Sequence, residues 1–392
     1  MRLLFKIIKK NIFKSKFLLN MLLLISSIII SFYLLEAVMQ FGLKYNTISL
    51  LEFYKKNDYR NAIVRIAPII FVNDNSYDIQ PLSGVSNSMT IVCNENGYYK
   101  VYNSDKHGFA NSNEVWSEKI IDFVIIGDSH AQGECVQEKD TISGHLRKQQ
   151  NTVLNLAMGG NGPLLSLATL VEYIPHVNAK NILYIFNDTD FEDLNRELEN
   201  DILKKYLLQK NYSQNLFFKQ DKIDIFLKNY FDYNFNIFFS KAEQGTLLNF
   251  VKLASLRNLM TSKISILQNR YKAAENIKIN DLSLPNYDYI ESLLIFAKNI
   301  SLKNNSKLYF IYVPTYRHFF TDKSQEKNRI IEIAKKLDIE TIDLSNFIIK
   351  NYKLETIYSV TLKGFGHPHE KGYQIISNEI IKNIKNNNDK NN

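Results

Sequence analysis

Two segments near opposite ends of the chain carry residues that could form a serine nucleophile and its base. Ser129 lies in Ile-Gly-Asp-Ser-His-Ala at 126–131, directly after the mostly apolar run 121–126. This pattern predicts a buried parallel strand, a tight turn and then a helix, which places the serine at the carboxyl edge of a sheet. Ligands bind at that edge, and a helix N-terminus there can stabilise an oxyanion. His367, in Gly-His-Pro-His-Glu-Lys-Gly-Tyr at 366–373, could take the serine proton.

Four segments, in chain order, carry sequence blocks of a known enzyme family. Gly-Asp-Ser at 127–129 fits the first block, and Asn-Leu-Ala-Met-Gly-Gly-Asn-Gly at 155–162 fits the second. Asn-Asp at 187–188 follows an apolar strand as in the third, and 364–373 matches the last, Asp-x-x-His-Pro-x-x-x-Gly-Tyr, except at its aspartate. On these motifs the chain resembles the SGNH (GDSL) hydrolase superfamily over roughly residues 80–385.

The resemblance implies that Ser129 is the nucleophile and that His367 is its base, which returns the proton to the leaving alcohol. Two positions depart from the family pattern. Gly364 stands where the family has the aspartate that orients the histidine, and Ile185 stands where the third block has a glycine. Asp343, at the end of a predicted strand, is either a substitute acid or a helix cap. We therefore expect a Ser–His dyad.

The same resemblance implies an oxyanion hole. Two of its donors would be the backbone N–H groups of Ser129 and Gly160. A gapless match of the third block makes Asn187 the third donor, whereas a slip of two residues puts Thr189 in that place. Asn161, next to the oxyanion glycine, is expected to bind substrate.

Arg317 follows the predicted strand 307–313 and should lie at the same edge of the sheet. There its guanidinium would bind an anionic sugar or carboxylate, or it would simply face solvent. His367 and His369 are the one close histidine pair, and no Cys/His cluster has metal-ligand spacing. The sequence contains neither a P-loop nor a dinucleotide glycine fingerprint. We expect no cofactor and no metal.

Positive charge is concentrated at the start of the chain. The 392 residues carry a formal charge of +8, but six basic residues and no acidic ones fall within the first 16 positions, which leaves 42 basic against 40 acidic residues elsewhere. The remainder therefore lacks the basic stripe that phosphate binding needs, and we expect no nucleic-acid partner.

The uncharged, apolar segment 17–35 follows these basic residues. It has about the ~20 residues of a membrane-spanning helix, and the charge before it places the N-terminus in the cytoplasm. A cleaved signal peptide is the alternative, although the run is long for an apolar core of roughly 7–15 residues; a buried core helix is a further one. We expect a single-pass anchor in the inner (cytoplasmic) membrane, with the catalytic domain in the periplasm or outside the cell.

If the catalytic domain is exported, the two cysteines, Cys93 and Cys135, lie in an oxidising compartment. Cysteines in an oxidising compartment can form a disulfide, whereas unpaired cysteines are often small buried hydrophobic residues. The sequence leaves both interpretations open.

Strand and helix patterns alternate from residue 120 onward, which predicts a three-layer α/β/α sandwich with a parallel, flavodoxin-like sheet. The pattern predicts a helical insertion over about 195–300, which is rich in aromatic residues. We expect these residues to form a lid, to line an acyl groove or to pack in the core. The apolar runs expected to form the strands are 121–126, 152–156, 181–186, 307–313 and 338–343. The expected domains are a basic tip and anchor (1–40), a small appendage (41–115, with a membrane-proximal helix over 37–60), a hydrolase domain (116–385) and a disordered tail (386–392).

These patterns, with the resemblance, predict a membrane-anchored serine esterase or acyltransferase. It would act through an acyl-enzyme on acyl groups, most plausibly O-acetyl, of a cell-surface glycan, so that its partners are an acylated carbohydrate and the membrane. Two alternatives stay open. The missing aspartate and altered third block are compatible with a catalytically weak glycan-binding or scaffold protein, and the aromatic insertion with a lipid-directed esterase.

Overall fold

The chain divides into two compact units. Residues 1–60 with 236–283 form the first, and residues 61–235 with 284–392 form the second, which contains every candidate catalytic residue. The helix predicted over 37–60 lies almost wholly outside the described residues, as does Gly364. The computed structural model describes residues 16, 18–38, 53, 62–64, 78–96, 98–243, 250–253, 256–257, 287–320, 324–359 and 366–391.

Two β-sheets lie in the second unit. The small one has β1 (Ile63–Val64) parallel to β2 (Met89–Ile91), which pairs antiparallel with β3 (Val101–Asn103). The large one is parallel throughout, in the spatial order β5-β4-β6-β7-β8, which is the 2-1-3-4-5 order of flavodoxin-like sheets. Its strands are β4 (Ile121–Ile126), β5 (Val153–Asn155), β6 (Ala179–Phe186), β7 (Lys307–Tyr312) and β8 (Glu340–Asp343).

Helices follow the strands and cover both faces of the large sheet, so the predicted three-layer α/β/α fold is confirmed. The first unit contributes α1 (Leu18–Val38). The other helices are α2 (Ser129–Gln132), α3 (Ile142–Lys148), α4 (Pro163–Tyr173), α5 (Asp190–Glu197), α6 (Asp201–Leu208), α7 (Gln220–Glu243), α8 (Tyr287–Lys303), α9 (Ser324–Lys336), α10 (Ser345–Asn351) and α11 (Glu370–Asn391).

Successive residues of β4 point into two different cores because side chains alternate along a strand. Val124 packs in a cluster with apolar residues of α4, α6, α8 and α9. Phe123 and Ile125 pack in a second cluster with residues of α3, α10 and α11. Since both faces of the strand are buried over Phe123–Ile126, its sequence is apolar except at the half-buried Asp122 near its start.

Helix α1 is long and apolar enough to cross a membrane, with a mean hydropathy of 2.3 over its most apolar stretch. Its large side chains, among them Leu22 and Ile29, are exposed. A signal sequence has the same length and composition, so the helix supports a membrane segment at the N-terminus without separating an anchor from a cleaved leader.

Several aromatic residues of the predicted insertion pack into the first of the two cores. Tyr206, Phe226 and Phe231 are buried there, whereas Phe218 is exposed. Helix α11 continues to Asn391, through most of the segment for which polar composition predicted a disordered tail.

Candidate active site

Ser129 is held at the carboxyl end of β4 by a tight turn. Gly127 adopts φ 140°, and a Cβ there would lie 2.6 Å from the carbonyl oxygen of Ile185, so only glycine fits between the two strands. The helix that begins at Ser129 is a single turn, because Gly133 ends it in the left-handed conformation with φ 70°. The helix that the sequence predicted after the turn is present as α2, and the next helix, α3, begins at Ile142.

Asp128 organises this turn through its buried carboxylate. One oxygen accepts the backbone N–H of His130 at 2.9 Å, and the other accepts the side-chain amide of Asn187 at 2.7 Å. Burial alone would raise the pKa of Asp128, but the neighbouring His130 and the hydrogen bond from the Asn187 amide lower it overall. The carboxylate is thus an ionised link between the ends of β4 and β6.

The proposed base lies against the proposed nucleophile. His367 Nε2 is 2.8 Å from the Ser129 hydroxyl, a hydrogen-bond distance, although the two residues are 238 positions apart. The histidine loop is fixed by backbone bonds on both sides: Ser359 N donates to the His367 carbonyl and His369 N donates to the Ile357 carbonyl, each at 3.0 Å. The sequence thus predicted both members of this pair, and the fold brings them together.

A carboxylate that sequence reasoning missed lies on the other side of the histidine ring. Glu95 Oε2 is 3.1 Å from His367 Nδ1 and also accepts the backbone N–H of His367 at 2.8 Å. Burial would raise the pKa of Glu95, yet its hydrogen bond and charge interaction with His367 lower it overall. For His367, burial lowers the pKa, but the bond and charge of Glu95 outweigh this and raise it. Both pKa shifts have the same cause, because the contact stabilises the ionised carboxylate of Glu95 and the protonated ring of His367.

Asp343, the substitute acid considered from the sequence, is engaged elsewhere. Its carboxylate accepts from the Lys327 ammonium at 2.8 Å and from the backbone N–H of Ser345 at 2.9 Å. These contacts hold the start of α10, which agrees with the helix-cap interpretation.

A disulfide joins Cys93 to Cys135, with the two Cα atoms 5.1 Å apart. Cys93 is two residues before Glu95, and Cys135 is six residues after Ser129. Cys135 Sγ also lies 3.2 Å from His367 Nδ1. The sequence left open whether these cysteines form a disulfide. A predicted disulfide would have placed Glu95, two residues after Cys93, near Ser129.

Gly160, a predicted oxyanion donor, lies in the turn after β5 with φ 85°, in the left-handed region that favours glycine. That turn is attached to the nucleophile segment, since Met158 N donates to the Gly127 carbonyl at 3.2 Å and Gly159 N donates to the Gln132 side chain at 2.9 Å. Asn161 is buried beside it, with its side-chain amide 3.5 Å from the Leu82 carbonyl.

The two candidates for the third donor differ in their surroundings. Asn187 is fully buried and its amide donates to Asp128, while its carbonyl oxygen accepts the backbone N–H and hydroxyl of Thr189 at 2.8 and 2.7 Å. Thr189, by contrast, lines a cavity beside Ser129.

This cavity has a volume of about 150 Å³ and contains Ser129 and His367 in its wall. Thr315, Tyr316 and Arg317 line it as well; Arg317 lies on a 3-10 turn after β7 and is exposed to solvent. Asp188 fixes that loop, because its two carboxylate oxygens accept the backbone N–H and the hydroxyl of Thr315, each at 2.9 Å.

His130, which the sequence did not single out, also lines the cavity. Its ring is buried, with its centroid 4.9 Å from that of His367 and its Nδ1 3.6 Å from the Asp128 carboxylate. Within the described residues, neither ring nitrogen has a hydrogen-bond partner. The cavity wall therefore offers the Ser129 hydroxyl, the His367 imidazole and the polar side chains of Thr189, Thr315 and Arg317 to a small substrate, whereas Gly160 and Asn161 are not among the residues that line it.

Comparisons with known proteins were made by family, by sequence and by structure. No family model and no curated protein matches the chain. Among solved structures it is similar to a GDSL-like lipase from Bacteroides thetaiotaomicron VPI-5482, with 13% identity and a TM-score of 0.35 over 69% of this chain and 89% of that chain. It is also similar to protein YxiM from Bacillus subtilis, with 10% identity and a TM-score of 0.34 over 74% of this chain and 60% of that chain. These values assign no activity to the chain.

Proposed function

We propose that this chain is a serine ester hydrolase or O-acyltransferase of the SGNH type. The observation that carries the proposal is the 2.8 Å contact between Ser129 Oγ and His367 Nε2, at the carboxyl edge of a parallel sheet and in the wall of a cavity. A serine hydroxyl becomes a nucleophile when an adjacent base can remove its proton, and this contact provides that base.

The reaction proceeds through an acyl-enzyme. Ser129 Oγ attacks the ester carbonyl while His367 takes its proton, and the negative charge that forms is stabilised by the N–H groups of Ser129 and Gly160. The intermediate collapses as His367 returns the proton to the leaving alcohol. Water or the hydroxyl of an acceptor then attacks the acyl-enzyme, and the exclusion of water from the cavity decides between hydrolysis and transfer.

For the third oxyanion donor, the cavity lining favours Thr189 over Asn187. Thr189 is in the cavity wall, and its hydroxyl, which donates to Asn187 Oδ1 in this structure, has to rotate toward the oxyanion to act as donor. Asn187 is fully buried and is not among the residues that line the cavity. Asn187 then has a supporting role, since it fixes both Asp128 and Thr189.

The proposed substrate is a short acyl ester, most plausibly O-acetyl, of a cell-surface glycan. A cavity of about 150 Å³ accommodates a short acyl chain, and Arg317 at its rim can pair with a carboxylate of an acidic sugar. The buried aromatic residues Phe226 and Phe231 belong to the core, so they are not free to line a groove for a long lipid chain. With α1 as an anchor, the catalytic unit would face the periplasm or the cell exterior.

The test is hydrolysis by the full chain in detergent of p-nitrophenyl esters of increasing acyl length. We expect acetate to be the best substrate and Ser129→Ala to abolish turnover. The exposed Ser112→Ala serves as a matched control and should leave turnover unchanged. A preference for long acyl chains would favour a lipid-directed esterase, and full activity in Ser129→Ala would contradict the nucleophile assignment. No turnover in the wild type, with a glycan still bound, would favour a glycan-binding protein.

A further inference from the structure

We propose that Glu95 is the positioning carboxylate of His367 and that the Cys93–Cys135 disulfide holds it in place, so that the oxidised chain is the fully active form. This inference rests on the proposed function, because it concerns the same Ser129–His367 pair. The carboxylate comes from a segment 272 residues away from the histidine, in the small sheet rather than in the histidine loop.

The Glu95 loop lies between β2 and β3, and the structure describes it at residues 92–96 and 98–100. Backbone bonds close its base, since Val92 N donates to the Lys100 carbonyl at 3.0 Å and Lys100 N donates to the Cys93 carbonyl at 3.1 Å. The loop therefore projects from the end of a two-stranded ladder toward the histidine.

The contact with Glu95 sets the proton positions on the ring of His367. A carboxylate accepts only, so Nδ1 carries the proton that faces Glu95, and Nε2 is left with a lone pair toward the serine hydroxyl. The second bond, from the His367 backbone N–H to the same oxygen, fixes the loop as well as the ring. This is the orientation that a general base for Ser129 needs.

The disulfide is the covalent connection between the Glu95 loop and the nucleophile segment. It joins Cys93, at the start of the loop, to Cys135, just past α2. Hydrogen bonds also join these segments, such as Asn96 Nδ2 to the Cys135 carbonyl at 2.9 Å and the buried Lys100 Nζ to the Gly133 carbonyl at 2.7 Å. Without the disulfide, non-covalent contacts of this kind would have to keep the carboxylate in place.

Reduction would also create a competing partner for the ring. A dithiol reductant transfers two electrons and two protons to the disulfide, which gives two thiols and the oxidised reductant. The freed Cys135 thiol would start 3.2 Å from His367 Nδ1, at almost the same distance as the Glu95 oxygen. In the reduced chain, the loss of the disulfide and the new Cys135 thiol would both weaken the contact between His367 and Glu95.

This dependence fits the proposed export of the catalytic unit. Disulfides are rare in the cytoplasm and form in oxidising compartments. The chain would therefore reach full activity only after export, and esters in the cytoplasm would be spared.

The experiment compares four forms of the full chain in detergent: wild type, Glu95→Gln, Glu95→Asp and Cys93→Ala/Cys135→Ala. Each is assayed with p-nitrophenyl acetate, oxidised and after a dithiol reductant with a chelator, which prevents the free thiols from binding trace metal. We expect Glu95→Gln to lower kcat about 10²- to 10⁴-fold with KM little changed, as when an orienting carboxylate is removed from a triad. Glu95→Asp should restore part of the loss.

The decisive comparison is between the redox responses. Reduction should lower kcat of the wild type about tenfold or more, reversibly on reoxidation, and should scarcely change the already slow Glu95→Gln, because both act through one contact. An equal slowing of both by reduction, or no effect in either, would overturn the proposal. The double cysteine variant lacks the disulfide but also lacks the competing Cys135 thiol, so its kcat should lie between those of the oxidised and the reduced wild type and should not respond to the reductant. If this variant does not fold, the reversible reduction of the wild type still decides.

A pH profile separates positioning from a structural role. The groups facing His367 are Glu95, Asp128, Glu134 and the ring of His130. Activity needs the neutral imidazole, so it rises as the pH passes the pKa of His367; without Glu95 that pKa falls, and the rising limb should move to lower pH. An unmoved limb would contradict the role of Glu95, whereas the activity of Ser129→Ala tests the proposed function independently.

Discussion

Replacement of Asp128 by asparagine should destabilise the second unit and slow catalysis together. The carboxylate is buried and accepts from the His130 backbone and from the Asn187 amide. An asparagine amide has one acceptor oxygen, so one of these two donors loses its partner whichever way the amide is turned. Loss of a hydrogen bond to a charged group costs about 1.5–3 kcal/mol.

Part of this cost is offset. Burial raises the pKa of Asp190, and the charge of Asp128 raises it further, so a neutral residue at 128 relieves that repulsion. The net loss should be about 1–3 kcal/mol, which corresponds to a fall in Tm of about 2–12 °C at roughly 2–4 °C per kcal/mol.

The pH dependence of this effect has a definite sign. The pKa of Asp128 is lowered in the folded chain, so its stabilisation is present above the unfolded pKa of about 3.9 and is lost as the pH falls through the folded value. The difference in Tm between wild type and Asp128→Asn should therefore shrink in acid.

Thermal unfolding followed by far-UV circular dichroism, with kcat measured alongside, checks both effects. The control is Asp201→Asn, since the Asp201 side chain is 86% exposed and forms an ion pair with the half-buried Lys204 on the same helix. Equal Tm values for the two variants at neutral pH would refute the reasoning.

Three further outcomes follow from the site and the anchor. Ser129→Ala and His367→Ala should lose about the same activity, and their double variant little more, because the two act as a unit; additive losses measured in steady-state assays would argue against this. Thr189→Ala should lower kcat about 10²–10³-fold with little change in KM and in Tm, whereas Asn187→Ala should lower both kcat and Tm. A normal kcat in Thr189→Ala, with a low kcat and an unchanged Tm in Asn187→Ala, would make Asn187 the donor. A reporter fused after residue 392 should read as periplasmic, and the chain should stay in membranes through a carbonate wash; a soluble form starting near residue 40 would instead show a cleaved signal.

The sequence predicted the sheet well because its strands are buried on both faces. Runs such as 121–126 and 181–186 are nearly all apolar, and they form β4 and part of β6. The sequence also predicted a helix after Ser129, which is present as α2, but it did not show where that helix ends. Gly133 ends it after one turn, and a single glycine in a helical pattern does not by itself show where a chain turns.

Glu95 could not be predicted for a different reason. Its partner His367 lies 272 residues away, and no block of the family resemblance includes it. Its placement depends on a pairing between distant cysteines and on a short ladder between β2 and β3, and both are tertiary features. Local patterns contain no information about such contacts.

Covalent labelling tests the central claim, that Ser129 is a nucleophile activated by His367. The full chain in detergent would be treated with a fluorophosphonate, which reacts with activated serines, and the modified peptide identified by mass spectrometry. We predict a single adduct on Ser129, formed fast in the wild type and lost or greatly slowed in His367→Ala. An adduct on another serine, or labelling of Ser129 at an equal rate without His367, would contradict the account.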